Sequence, residues 1–140
     1  MDTGPAKRDE SEEAVPSPMH ESVVFADAAG TMRAYPNTSD FWTSIVGGLP
    51  EGYLISEFTF TESWPNWERH PKGDEFVFVL SGNITLIFEK DSGDQHNPLG
   101  PGQFTFIPRN NWHTADLSEP VRALFITFGK GTENKPRSPS

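Results

Sequence analysis

Two short stretches of this chain hold the residue types that could do chemistry. The first is Trp67-Glu68-Arg69-His70-Pro71-Lys72-Gly73-Asp74-Glu75. Glu68 and His70 are two apart, and on an extended strand such residues share a face. Both side chains can therefore aim at one point. Pro71-Lys72-Gly73 supplies a reversal, and a hairpin there would bring Glu75 back beside His70. The second stretch is Pro108-Arg109-Asn110-Asn111-Trp112-His113, in which Pro108 ends one strand and His113 opens the next. The chain has no cysteine, which excludes disulfides, thiolate metal sites and cysteine nucleophiles. Any metal must then be held by imidazole and carboxylate.

These stretches need a framework, and the sequence writes one in strands. Leu54 to Thr61 alternates, with Phe58 and Phe60 on one face and Glu57, Thr59 and Thr61 on the other. Glu75 to Leu80 is an unbroken aromatic and β-branched run, which predicts a strand covered on both faces. Ser81-Gly82-Asn83 turns the chain, and Asn83 to Glu89 returns with Ile84, Leu86 and Phe88 on one face. Asp91–Asp94 and Pro98–Gly102 read as turns, and His96 reads as a solvent residue in a turn between Asp94 and Pro98. His20 reads as a solvent residue too. Gln103 to Ile107 and Val121 to Phe128 are further strands; Val23 to Ala26 and Thr31 to Tyr35 are shorter ones. Phe41 to Val46 reads either as one helical turn or as a strand. Many short strands broken by Gly and Pro turns predict an all-β sandwich or small barrel.

The spacing of the two stretches resembles the cupin motifs. The first motif is His-x-His, four residues, Glu, six residues, Gly; here it reads Glu68-x-His70, then Glu75, then Gly82. The second is Gly, five residues, Pro-x-Gly, two residues, His; here it reads Gly102, Pro108-x-Asn110, His113. The run also resembles small single-domain cupins with a Trp-Glu-x-His-Pro-x-Gly-Asp-Glu signature. The resemblance implies a double-stranded β-helix (jelly-roll) barrel, often dimeric, with a divalent metal in its lumen. Asn110 stands where glycine is expected, and asparagine tolerates a left-handed backbone better than most residues. Glu68 stands where the first histidine would be. It is either a carboxylate ligand or a nearby catalytic base.

His70, Glu75 and His113 make a two-histidine, one-carboxylate set that suits Fe(II). Adding Glu68 makes the set richer in oxygen and favours Fe or Mn, while Ni or Zn can still occupy it in a purified sample. The leading expectation is a metal-dependent enzyme, dioxygenase-like, acting on a small organic molecule. The alternatives are a ligand-binding or sensing module without catalysis, and an isomerase or lyase using the metal as a Lewis acid. Trp64, Trp67 and Trp112 flank the expected ligands, either as packing or as an apolar wall for substrate. Arg109 is either solvated or placed to hold a substrate carboxylate.

The 140 residues suffice for one domain. A formal net charge of −9 argues against a nucleic-acid backbone or an anionic membrane as partner. No apolar stretch approaches the ~18 residues of a span. Residues 1–21 read as an acidic, proline-containing tail and not as a secretory leader, so the expected location is the cytoplasm. Residues 22–130 read as the cupin domain and 131–140 as a second tail. The apolar face of Phe76–Leu80 needs cover, from a second subunit in a homodimer or from the N-terminal strands.

Overall fold

The computed structural model of the chain describes residues 16–138. Most of the N-terminal tail, residues 1–15, lies outside the described residues. What is described is eleven strands and a few short helical turns. The strands are β1 (Ser22–Asp27), β2 (Met32–Pro36), β3 (Gly52–Phe60), β4 (Asn66–Arg69), β5 (Glu75–Ser81), β6 (Ile84–Phe88), β7 (Gln95–Leu99), β8 (Phe104–Ile107), β9 (His113–Asp116), β10 (Val121–Phe128) and β11 (Glu133–Pro136). They pair antiparallel in two sheets, ordered β2-β1-β3-β10-β5-β8 and β11-β4-β9-β6-β7. The expected all-β jelly-roll architecture is what forms.

The inward rows of the strands fill the space between the sheets. Val77 and Val79 of β5, Leu86 and Phe88 of β6, Ala115 of β9 and Ala123 and Phe125 of β10 share one buried cluster. Their alternation along each strand explains why one face is dry. A second cluster joins Val23, Phe25, Phe41 and Leu54 at the other end. Phe41–Ile45, the segment that sequence left open, is one wide helical turn, and it buries Phe41 there.

The strand prolines follow a rule. Pro36, Pro98 and Pro136 lie in β2, β7 and β11, all at sheet edges, where no ladder hydrogen bond is lost. Two expectations are corrected here. His96 lies within strand β7, not in a turn, because that edge accommodates Pro98. Residues 133–136, read as tail, form β11 and pair with β4 from Glu133↔Arg69 to Pro136↔Asn66.

A third correction concerns β5. Its burial alternates, with Glu75, Val77 and Val79 inside and Phe76 and Phe78 only half-covered. β1 and β2 extend the same sheet beyond β3 and do not cover this face. Phe76 packs on Phe104 and Phe106 of β8, which are 56% and 59% exposed.

Candidate functional site

β4 and β9 lie side by side, with Glu68 directly opposite His113. His70 follows the end of β4. The expected hairpin to Glu75 is not there: Pro71–Asp74 carries the chain across from the second sheet to the first, where Glu75 opens β5. The crossing still delivers Glu75 to His70, so the four side chains meet in the gap between sheets. Asn110, at φ 62°, adopts the left-handed turn expected of it, and its N–H donates to His70 O at 2.9 Å. That bond ties the β8–β9 turn to the residue after β4.

The distances are short. His70 Nε2 lies 3.3 Å and His113 Nε2 3.6 Å from Glu75 Oε1, and His113 Nε2 lies 3.9 Å from Glu68 Oε2. Donor atoms of Glu68, His70 and His113 all fall within 4.8 Å of one another. His113 is wholly buried, and His70 and Glu75 nearly so. Glu68 is the most open member and faces the cavity.

Each buried ligand atom has a held partner atom. Thr127 Oγ1 donates to Glu75 Oε2, and Thr127 stands opposite Glu75 in the β10–β5 register. His113 Nδ1 lies 3.2 Å from Asn111 O, which can only accept. His70 Nδ1 lies 2.9 Å from Thr132 Oγ1. What remains is His70 Nε2, Glu75 Oε1 and His113 Nε2, three buried polar atoms with no hydrogen-bond partner. Buried polar groups are rarely left unmatched. Three lone-pair atoms converging this way fit a divalent cation, and the outer bonds orient imidazoles as metal sites require. Trp64 Nε1 is likewise unpartnered; its indole packs on His113 and Phe60 at 6.1 and 5.2 Å between rings.

The electrostatics divide the cluster. Burial opposes ionisation of Glu75, but His70 beside it, the charge of His113 and the Thr127 bond outweigh it, and its carboxyl sits below the ordinary value. Burial would lower His70, yet Glu75 beside it and the charge of Glu68 raise it, so an ion there competes with a proton. Burial holds His113 down, against the pull of Glu75, so its imidazole is neutral and keeps a lone pair. Burial, then the charge of Glu75, raises Glu68.

Glu68, His70 and Glu75 of the cluster line a cavity of about 700 Å³, with His113 buried behind them. Phe58, Phe60, Trp64 and Phe125 wall it, and Ser56 and Lys130 add polar groups. Trp67 and Trp112 do not line it. They lie on the far side of the second sheet, where Lys135 Nζ and Arg69 Cζ sit 4.5 and 4.6 Å over the Trp112 ring. Strand parity foretells this: if Glu68 points inward, Trp67 points outward. Arg109 is exposed and also outside the cavity. Its guanidinium donates to Lys72 O and its N–H to Asp74 Oδ1 at 2.7 Å, pinning two turns together. Trp42 does line the cavity, from the helical turn whose form the sequence left open.

A family model described as "Cupin domain" matches residues 59–127, which span Glu68, His70, Glu75 and His113. The chain is a member of the cupin superfamily. Among solved structures, this cupin is similar to the polyketide cyclase RemF from Streptomyces resistomycificus, at 25% identity and a TM-score of 0.51, covering 65% of each chain. It is also similar to a cupin-2 domain containing protein from Shewanella frigidimarina NCIMB 400, at 22% identity and a TM-score of 0.47, over 61% of this chain and 71% of that one. A hydroquinone 1,2-dioxygenase from Sphingomonas sp. TTNP3 matches at 16% identity and a TM-score of 0.49, over 56% and 60%. No curated protein matches the sequence. Among the described residues, no helix is long and apolar enough to cross a membrane.

Proposed function

We propose that this cupin is a metal-dependent enzyme acting on a small, largely apolar organic molecule. The observation that carries the reading is the convergence of three buried, unpartnered donor atoms beside a cavity that His70 and Glu75 line. His70, Glu75 and His113 would hold a divalent ion, Fe or Mn first and Ni or Zn in competition, with Glu68 as a fourth, more open ligand. Such an ion, when bound, supplies Lewis acidity and, as Fe(II), electrons for oxygen chemistry. The chain does the rest. Thr132, Asn111 O and Thr127 hold the ligand side chains in register. Phe58, Phe60, Trp64 and Phe125 exclude water and seat an apolar body. Glu68 Oε2, if left free, accepts a proton from the substrate.

Within that frame the proposed reaction is dioxygenase-like. The two-histidine, one-carboxylate core supports it, because such a core leaves positions open for substrate and oxygen. A second reading, ring closure or isomerisation by Lewis acid alone, is favoured by the likeness to RemF. The test is oxygen uptake by the Fe(II)-supplemented chain across a panel of small phenols, aromatic acids and enols. Uptake that needs Fe(II) and disappears in His113→Ala supports the first reading. Turnover of a panel member without oxygen uptake supports the second. A 1:1 ion with no turnover would leave a binding module, and full metal retention in both His70→Ala and His113→Ala would sink the site.

The proposal includes a homodimer. Outward positions of β5 and β8 carry Phe76, Phe78, Leu80, Phe104 and Phe106 and no charged side chain, on a chain of net charge −9. A second copy offers the same uncharged aromatic face. A cytoplasmic location belongs to the same proposal.

A further inference from the structure

We propose that Lys130 makes the cavity selective for a ligand with a flat apolar body and one anionic end. The inference rests on reading the cavity as a substrate chamber beside a metal site.

Lys130 lines the cavity from the β10–β11 connection. Its Nζ donates to Gly47 O at 2.9 Å and to Leu49 O at 2.8 Å. No carboxylate of the described residues forms an ion pair with it. An ammonium has three donors, so two neutral carbonyls leave one donor and the whole formal charge unmatched. The side chain is half-buried, so water screens that charge only in part.

Charge balance then selects the ligand. The ionisable side chains lining the cavity are Glu62, Glu68, His70, Glu75 and Lys130. Glu62 is exposed at the rim and solvated. A divalent cation between Glu68 and Glu75, with neutral histidines, sums to zero. Lys130 is left as a single positive charge inside a strongly acidic chain. A monoanion neutralises it, a neutral ligand does not, and a cation is repelled. The walls describe the remainder of the ligand, since Trp42, Phe58, Phe60, Trp64 and Phe125 present aromatic surface.

The backbone places Lys130 on the same connection as a residue of the metal cluster's surroundings. Gly129 and Gly131 flank it at φ +77° and +88°, a conformation that L side chains rarely adopt. Thr132, two residues beyond Lys130, is the residue that holds His70. Lys130 and Thr132 both line the one cavity. The sequence offered Arg109 as the carboxylate-holding cation; on this geometry Lys130 takes that role.

The test measures binding to the full chain, loaded with metal, by quenching of tryptophan fluorescence. The probes are 1-naphthoate and its neutral isostere 1-naphthamide. Wild type should bind the acid about tenfold more tightly or better. Lys130→Met should abolish that preference while leaving amide affinity within about twofold, and Lys130→Arg should keep it. Preference for the acid kept in Lys130→Met with the ion at full stoichiometry would assign the acid to the metal and overturn the proposal. Equal affinity for both probes or binding of neither in the metal-loaded wild type would overturn it too. So would an equal loss for both probes in Lys130→Met, which would make Lys130 only a latch for residues 47–49. Metal stoichiometry on the same samples reads the site separately. A 1:1 ion without acid preference refutes only the role of Lys130, whereas a chain that takes up no ion refutes the metal reading and the charge balance built on it.

Discussion

Thr132 Oγ1 and His70 Nδ1 lie 2.9 Å apart, although 62 residues of chain separate them. With His70 Nε2 left to a cation, Nδ1 carries the hydrogen and Thr132 accepts it. The contact fixes both the tautomer and the tilt of a buried ring.

Thr132→Val should therefore weaken metal binding by about 10–100-fold, the usual cost of losing such an orienting partner. Thr132→Ser, which restores the hydroxyl, should recover most of it. Competition with a chromophoric chelator measures both. Unchanged affinity in the valine variant would make the hydrogen bond incidental.

Glu68 separates ligand from base. As a ligand, Glu68→Gln should lower metal affinity and Glu68→His, which restores the commoner cupin set, should hold metal at least as well. As a base, Glu68→Gln should keep the ion at full stoichiometry and lose turnover, by about 10²–10⁴-fold. We expect the first result, because Glu68 Oε2 sits 3.9 Å from His113 Nε2 within the donor cluster. Metal analysis of the two variants beside wild type decides.

Removing residues 133–140 should lower the melting temperature by about 5 °C or more. β11 pairs with β4, Arg69 pairs with Glu133, and Arg137 Nη1 bridges Asp116 at 2.8 Å and Trp64 O at 3.1 Å. A melting curve superimposable on that of the full chain would show that β11 contributes nothing, as a free tail would.

The aromatic face predicts assembly. Light scattering of wild type at micromolar concentration should give twice the chain mass of 15.6 kDa, and Phe104→Glu should give the single mass. A wild-type monomer would remove the dimer and leave Phe104 and Phe106 facing solvent.

Strands with an apolar rhythm were legible from residue order. Phe58 and Phe60 face inward on β3, and Ile84, Leu86 and Phe88 share the buried side of β6, as alternation requires. The convergence of Glu68, His70, Glu75 and His113 was legible as well, from their spacing. Position on an edge was not. Glu-Asn-Lys-Pro of β11 has no apolar alternation, and it is a strand only because β4 offers an open edge. That the N-terminal strands leave the Phe76–Leu80 face uncovered was not legible, because outward aromatics look the same in sequence as inward ones. Thr127 could have been found, as the polar exception after Ala123 and Phe125 on an inward row. Thr132 left no local signal, because its partner lies far away along the chain.

The parts of the site span Glu68 to Thr132, and the last of them stands at the mouth of the final described strand. A chain emerging from the ribosome as far as residue 100 exposes Glu68, His70 and Glu75 without His113, without the Thr127 and Thr132 hydroxyls, and without Phe125 of the wall. An intermediate of that length offers an incoming ion three of the four candidate ligands, none of them held by its partner. On the proposed metal reading, choice among the cell's metals thus falls to the folded chain, at whatever free concentrations its compartment maintains.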